Sequence, residues 1–167
     1  RDSTKRPLLP DIREQFRRRE HREERLFEAR SMQIDTGLSA AYMTVNTFNN
    51  GNALHSFFKS SFKQLKKENI RHLIIDIRGN GGGNVNHSTY LTKMLVDSSF
   101  KIADSLYAAN KRSKYGNHIQ YNWFTGIFMS FITKKRADGK YHFGYYERHY
   151  FKPVKKNHYD GNVYVLT

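Results

Sequence analysis

The chain contains no cysteine, which excludes a disulfide framework and every thiolate metal site and leaves the redox compartment open. No apolar run approaches the roughly 20 residues of a membrane span. No signal peptide is visible, although Arg1-Asp2-Ser3-Thr4-Lys5 reads as an internal start, so its absence excludes little. Proline is scarce, and two of the three lie in 1–10, a stretch without periodicity that reads as a flexible lead-in. There is neither an internal repeat nor a low-complexity tract. Acidic residues are few: 15 Asp and Glu against 29 Lys and Arg, a net charge of +14. That balance favours acidic partners such as nucleic acid, an anionic membrane or acidic peptides. The plainer alternative is a solvated basic surface.

What remains is enough for one domain. The chain has 167 residues, and 12 Phe with 11 Tyr supply much of its potential burial. Asp11 to Arg30 reads as a charged helix with Asp11 as N-cap. Glutamates interleave its Arg17-Arg18-Arg19 run at i,i+3 and i,i+4 spacing, which favours a solvated helix over nucleic-acid recognition. Met32 to Ile34 reads as a short strand. Ala40 to Phe48 reads as a longer one, with Tyr42, Val45 and Phe48 toward the core. Leu54, Phe57, Phe58, Phe62 and Leu65 fall at helical spacing while Lys59, Lys63, Lys66 and Lys67 face outward. Further on, strands are expected over Phe100–Tyr107 and Tyr141–Phe151, and a loop over Ala108–Asn117. An aromatic-rich helix is expected over Ile119–Ile132. A hairpin-like turn is expected at Ala137–Lys140, and a last buried strand over Asn162–Thr167.

The stretch most suited to chemistry is His72 to Asn84. Leu73, Ile74, Ile75 and Ile77 have the composition of a strand buried on both faces, broken by Asp76 and closed by Arg78. Gly79, Gly81, Gly82 and Gly83 then allow a tight turn with bare amides. Val85, Tyr90, Leu91, Met94 and Leu95 follow at helical spacing, and the helix is expected to begin at Gly83. Strand, glycine turn and helix N-terminus make a nest of N–H donors for a phosphate, a carboxylate or an oxyanion. No Gly-Lys-Ser/Thr follows, so it is not a P-loop. Asn84 stands where the last glycine of a dinucleotide fingerprint belongs.

Ile74-Ile75-Asp76-Ile77-Arg78-Gly79-Asn80-Gly81-Gly82-Gly83 closely resembles the Asp-Leu-Arg-Gly-Asn-Pro-Gly-Gly signature of the C-terminal processing (tail-specific) serine peptidases, with Gly81 where many relatives have proline. Tyr42 to Phe48 is similar to the family's strand ending in a Thr/Ser-Phe pair. Gly161 to Thr167 is similar to the strand that leads into the nucleophilic serine. The resemblance implies an α/β fold: a crotonase-like/Clp-protease-like core of strand–strand–helix units with a mainly parallel sheet, plus the N-terminal charged helix. It divides the chain into a lead-in at 1–37 and a partial core domain at 38–167. It implies peptide-bond hydrolysis through an acyl-enzyme, with Gly82 and Gly83 in the oxyanion hole and Asp76, Arg78 and Asn80 shaping the turn. The serine and its Lys or His base are expected after Thr167. No cofactor is implied, the partner is a protein or peptide substrate, and the location is the periplasm or cell exterior.

No residue within the chain replaces the missing pair. Ser60, Ser61 and Ser88 lie in helical patterns. His142, Glu147 and His149 could be gathered around a metal, but on an alternating strand they occupy mixed faces. Two other readings are a non-catalytic peptide-binding relative and a basic phosphate- or nucleic-acid-binding module.

Overall fold

The computed structural model describes residues 12–110 and 131–167. The lead-in at 1–10, the Asp11 cap, most of the loop at 108–117 and all but the end of the helix expected over Ile119–Ile132 lie outside the described residues. The chain divides into two compact units, one from 12–95 and 154–167, the other from 96–153.

The first unit is mixed α/β. Helix α1 (Ile12–Ala29) leads into β1 (Arg30–Asp35), which pairs antiparallel with β2 (Ala40–Val45). Helix α2 (Leu54–Lys67) crosses to β3 (His72–Asp76), α3 (Val85–Leu95) follows, and a final strand (Asn162–Leu166) completes the sheet. That strand is β7, because β4 to β6 belong to the second unit. The order is β1-β2-β3-β7, with β2–β3 and β3–β7 parallel. The sheet is therefore mainly parallel, as the crossover pattern predicts.

One face of this sheet carries the core. Ala41, Met43 and Val45 of β2 and Leu73 and Ile75 of β3 pack with Leu54, Phe58, Phe62 and Leu65 of α2 and Leu91 and Met94 of α3. The α2 face matches its sequence pattern at Leu54, Phe58, Phe62 and Leu65, with Phe57 half-buried at its margin and Ser61 buried among them. The strand faces do not all match. Val45 is buried as expected and Phe48 packs against the core, but Tyr42 is only half-buried, and Ala41 and Met43 are the other inward residues of β2. β3 is fully buried on one face only, since Leu73 and Ile75 are buried while His72, Ile74 and Asp76 are half-buried. β7, expected as a buried strand, is the edge of the sheet, and Tyr164 and Val165 are exposed. α1 is a solvated helix, with i,i+4 pairs Glu14–Arg18 and Arg19–Glu23, each worth about 0.3–0.5 kcal/mol.

The second unit is built differently. β4 (Tyr107–Ala108), β5 (Lys134–Lys135) and β6 (Tyr141–His142) form a small antiparallel sheet in the order β4-β6-β5. The expected turn joins β5 to β6, with Gly139 at φ +77° and the Arg136 amide bonded to the Lys140 carbonyl at 3.0 Å. Two expected strands fail. Phe100 to Tyr107 contributes only a bridge from Phe100 to Phe151 and the start of β4. Tyr141 to Phe151 stops as a strand at His142, and Gly144–Arg148 forms a short helix, α4. Glu147 lies on this helix and is buried, its carboxylate bonded to His142, Arg136 and the Leu106 amide.

Candidate functional site

The site is the turn between β3 and α3, and its shape follows from a few side chains. Asn80 pins it: its Nδ2 donates to the Val45 carbonyl at the end of β2 (2.9 Å), and its Oδ1 accepts from the Gly82 amide (2.7 Å). The Asn80 amide closes the turn onto the Ile77 carbonyl at 2.9 Å. Gly82 and Gly83 take φ of +98° and +138°, backbone that L side chains rarely adopt. Gly83 is also hemmed in. A Cβ there would sit 2.5 Å from the Asn49 nitrogen and closer still to the Phe48 carbonyl carbon, whereas at Gly82 it would meet nothing.

Phe48 explains that crowding. Its amide donates to the Gly82 carbonyl (2.8 Å), and its carbonyl accepts from the Asn84 amide (3.0 Å). These bonds make a parallel bridge between Phe48 and Gly83. In such a bridge the middle residue's own N–H and C=O point away from the partner. Gly83 is exposed, and among the described residues its amide has no hydrogen-bond partner. The α3 helix begins at Val85, not at Gly83, because Asn84 caps it: its Oδ1 accepts from the Asn86 amide at 2.9 Å. The His87 ring adds a bond from Nδ1 to the Phe48 carbonyl at 2.9 Å. The free Gly83 amide thus lies just ahead of a helix N-terminus, where the dipole favours negative charge.

Behind the turn, Asp76 and Arg78 are locked together. Arg78 donates to Asp76 through its amide and Nε at 3.0 Å and through Nη2 at 2.7 Å. The Tyr42 hydroxyl, from the neighbouring strand, donates to Asp76 Oδ2. The guanidinium, then the hydroxyl, hold the Asp76 carboxyl well below the usual carboxylate range. The same carboxylate pushes the Tyr42 phenol and the Arg78 guanidinium up. A permanently charged, fully ligated pair is a brace, unsuited to accepting or releasing a proton near neutral pH.

The parallel strands aim β7 at this turn. Asp76 is level with Leu166, and the Ile77 amide donates to the Leu166 carbonyl at 2.9 Å. The C-terminal end of β7 and the glycine turn therefore share one end of the sheet, where ligands bind in open α/β folds.

The remaining candidates are placed elsewhere. Ser60 Oγ donates to the Phe57 carbonyl and Ser88 Oγ to the Val85 carbonyl, and Ser61 is buried inside α2. None of the three is hydrogen-bonded to a histidine among the described residues. His142 and Glu147 do meet, in the second unit. The His142 ring bonds Glu147 through Nδ1 (2.7 Å) and Asp138 through Nε2 (2.8 Å), and Arg136 pairs with Glu147. His149 instead stacks on Tyr145, with ring centroids 4.7 Å apart. Among the described residues no three metal-ligating side chains are grouped. Sequence reasoning missed Tyr42 as a ligand of Asp76, and Phe48 and His87 as supports of the turn. The Thr47-Phe48 pair before Asn49-Asn50-Gly51 was the available signal for Phe48.

The model of Peptidase family S41 matches residues 39–167. No curated protein matches the chain.

Proposed function

Because the chain belongs to peptidase family S41, we propose that it carries the oxyanion-binding half of a serine endopeptidase of the tail-specific, C-terminal processing type. Its nucleophile and base are supplied from outside residues 39–167. The observation that carries this reading is the Gly83 amide: exposed, unpartnered, fixed by the Phe48 bridge, and at the sheet end reached by β7. Gly83 is the donor to the carbonyl oxygen as charge develops there. Gly82, whose N–H is held by Asn80, sets the backbone that aims it. Asp76, Arg78 and Asn80 shape the turn.

In this reading a serine on the chain emerging from β7 attacks the scissile carbonyl, and a lysine or histidine takes its proton. The tetrahedral oxyanion is held by the Gly83 amide together with one donor beside the serine, and collapse releases the new amine and leaves an acyl-enzyme for water to hydrolyse. We assign the β2–α2–β3–α3 unit to the crotonase-like/Clp-protease-like arrangement, in keeping with its strand–helix–strand–helix order. The substrate is a protein or peptide, and the family association points to the periplasm or cell exterior. No helix among the described residues is long and apolar enough to cross a membrane.

The test uses a chain extended beyond Thr167 and a serine-directed fluorophosphonate. Labelling should fall on a serine beyond Thr167 and leave Ser60, Ser61 and Ser88 untouched. Folded Gly83→Ala should lose on the order of a hundredfold or more in kcat with little change in KM. Asn84→Ala, which removes the helix cap and a side-chain bond to Asn50 but leaves the Gly83 amide in place, should lose far less turnover. Labelling of a serine within the present chain, or full turnover in folded Gly83→Ala, would overturn the reading.

A further inference from the structure

The second unit holds a cavity of about 590 Å³ whose described lining is basic and aromatic. Lys134, Lys135, Arg136 and Arg148 line it, Lys134 and Lys135 from opposite faces of β5, and so do Phe131 and Tyr145, both largely exposed. Arg136 is committed to Glu147. Lys134 and Lys135 are exposed and have no acidic partner among the described residues. No aspartate or glutamate is among the described lining residues; Asp138 is turned onto His142 and Glu147 is shared between His142 and Arg136, so among the described residues Lys134, Lys135 and Arg148 have no carboxylate to neutralise them. A set of cations gathered this closely is unfavourable unless something anionic comes to it.

The backbone beside the cavity says what kind of anion. Among the described residues β5 is the edge of its sheet. Arg136 donates to Lys140, and Lys135 lies opposite Tyr141. Antiparallel pairs alternate, so Lys135 is the residue whose N–H and C=O face away from β6, toward an added strand. A polypeptide laid along β5 can match both groups. A polynucleotide has no such backbone, and it is better served by cations spaced along a groove than by a cluster in one pocket.

We propose that β5 and this cavity form a docking site for an extended acidic peptide segment, its carboxylates on Lys134, Lys135 and Arg148 and its intervening aromatic or aliphatic side chains on Phe131 and Tyr145. The choice of a peptide as occupant rests on the peptidase reading, and makes this a determinant of which protein substrates are held.

The experiment measures fluorescence anisotropy with the present chain and a labelled, end-blocked peptide alternating Glu and Phe. Controls are the same peptide with Gln for every Glu and a single-stranded oligonucleotide of equal charge. The acidic peptide should bind about tenfold or more tightly than the Gln peptide, and rising salt should weaken it. Lys134→Gln/Lys135→Gln should lose about tenfold in affinity. If the double variant does not keep its circular dichroism spectrum, the single Lys134→Gln substitution carries the same comparison. Equal binding of the Gln peptide, unchanged affinity in a folded variant, or tighter binding of the oligonucleotide through the same lysines would each overturn the proposal. Binding is read without turnover, so failure of the extended chain to hydrolyse peptides would count against the peptidase reading and leave this result standing.

Discussion

The two units solve the same problem, ordering a chain, with opposite materials. The first buries an apolar face: Met43, Val45, Leu54, Phe58, Leu65 and Leu73 are each at most 1% exposed, and its buried polar residues are few. The second puts a charged cluster inside. His142 and Glu147 are 6% and 5% exposed, and Asp138, Arg136 and the Leu106 amide supply their remaining bonds. An apolar core gains from every contact and tolerates local slack. A polar core is stable only while each member keeps its partner. The units should therefore differ in what damages them: volume in the first, protonation in the second.

The largest expected effect is in the first. Phe58→Ala leaves a cavity against α2 and the sheet and should cost about 3–5 kcal/mol, read from urea denaturation at constant slope. The loss should be nearly the same across the neutral pH range, because the cluster that holds Phe58 is apolar but for Tyr159, whose phenol burial pushes up to about 12. A cost below about 1 kcal/mol would mean that the α2 face is not a packed core.

Gly83→Ala comes next. Positive φ and the clash with Phe48 and Asn49 act together, and should cost roughly 2–4 kcal/mol. Gly82→Ala has the φ penalty alone and should cost about 1–2 kcal/mol. Equal losses at both positions would show that the Phe48 bridge is loose, and with it the fixed aim of the Gly83 amide.

The second unit should respond to pH instead. Asp138, then Glu147, raise the His142 imidazole above its ordinary value, while His142 holds both carboxyls below theirs. A raised histidine stabilises fully below its unfolded pKa, and that contribution is lost as pH climbs through the folded value. The depressed carboxylates stabilise above their unfolded values and lose that contribution as pH falls through the folded ones. Protection of amides in 134–148 against hydrogen exchange, corrected for intrinsic rates, should thus fall on the alkaline side, as pH climbs above the ordinary imidazole value of about 6.5. His142→Gln should flatten that alkaline limb. A limb that persists in the variant would assign the dependence to another group.

The same contrast explains what the sequence makes legible. Where burial is apolar, spacing reveals it: the α2 stripe, the crossover to β3 and the glycine turn all follow from residue type and period. On β2, Val45 is read correctly and Tyr42 is misread, because its hydroxyl reaches for Asp76 while the small Ala41 takes a buried position. β7 has the apolar composition of a buried strand, and only pairing shows it to be an edge. The span 141–151 is misread because a glutamate is the buried residue, and its partners lie at 106, 136 and 142; no periodicity marks a bond across 41 residues. In the site, the glycines were legible. Which amide stays free was not, since that depends on Asn80 and on Phe48, 35 residues before Gly83.

The smallest effect probes the one loose point of the turn. Gly81 lies outside the left-handed region, a Cβ there would meet nothing within 4 Å, and among the described residues its amide has no partner. It is therefore the position where the turn does not need a glycine, in contrast to Gly83 two residues on. Gly81→Pro removes no hydrogen bond and narrows the unfolded chain, so it should raise stability by about 0.4–1 kcal/mol. Two constraints remain: position 81 must take a φ of about −65°, and Asn80 must take an extended backbone before proline while its side chain still bridges Val45 and Gly82. A higher urea midpoint with an unchanged slope is the expected result. A lower midpoint would mean that one of these constraints is not met, and that the turn depends on slack at Gly81 as well as on the tight fit at Gly83.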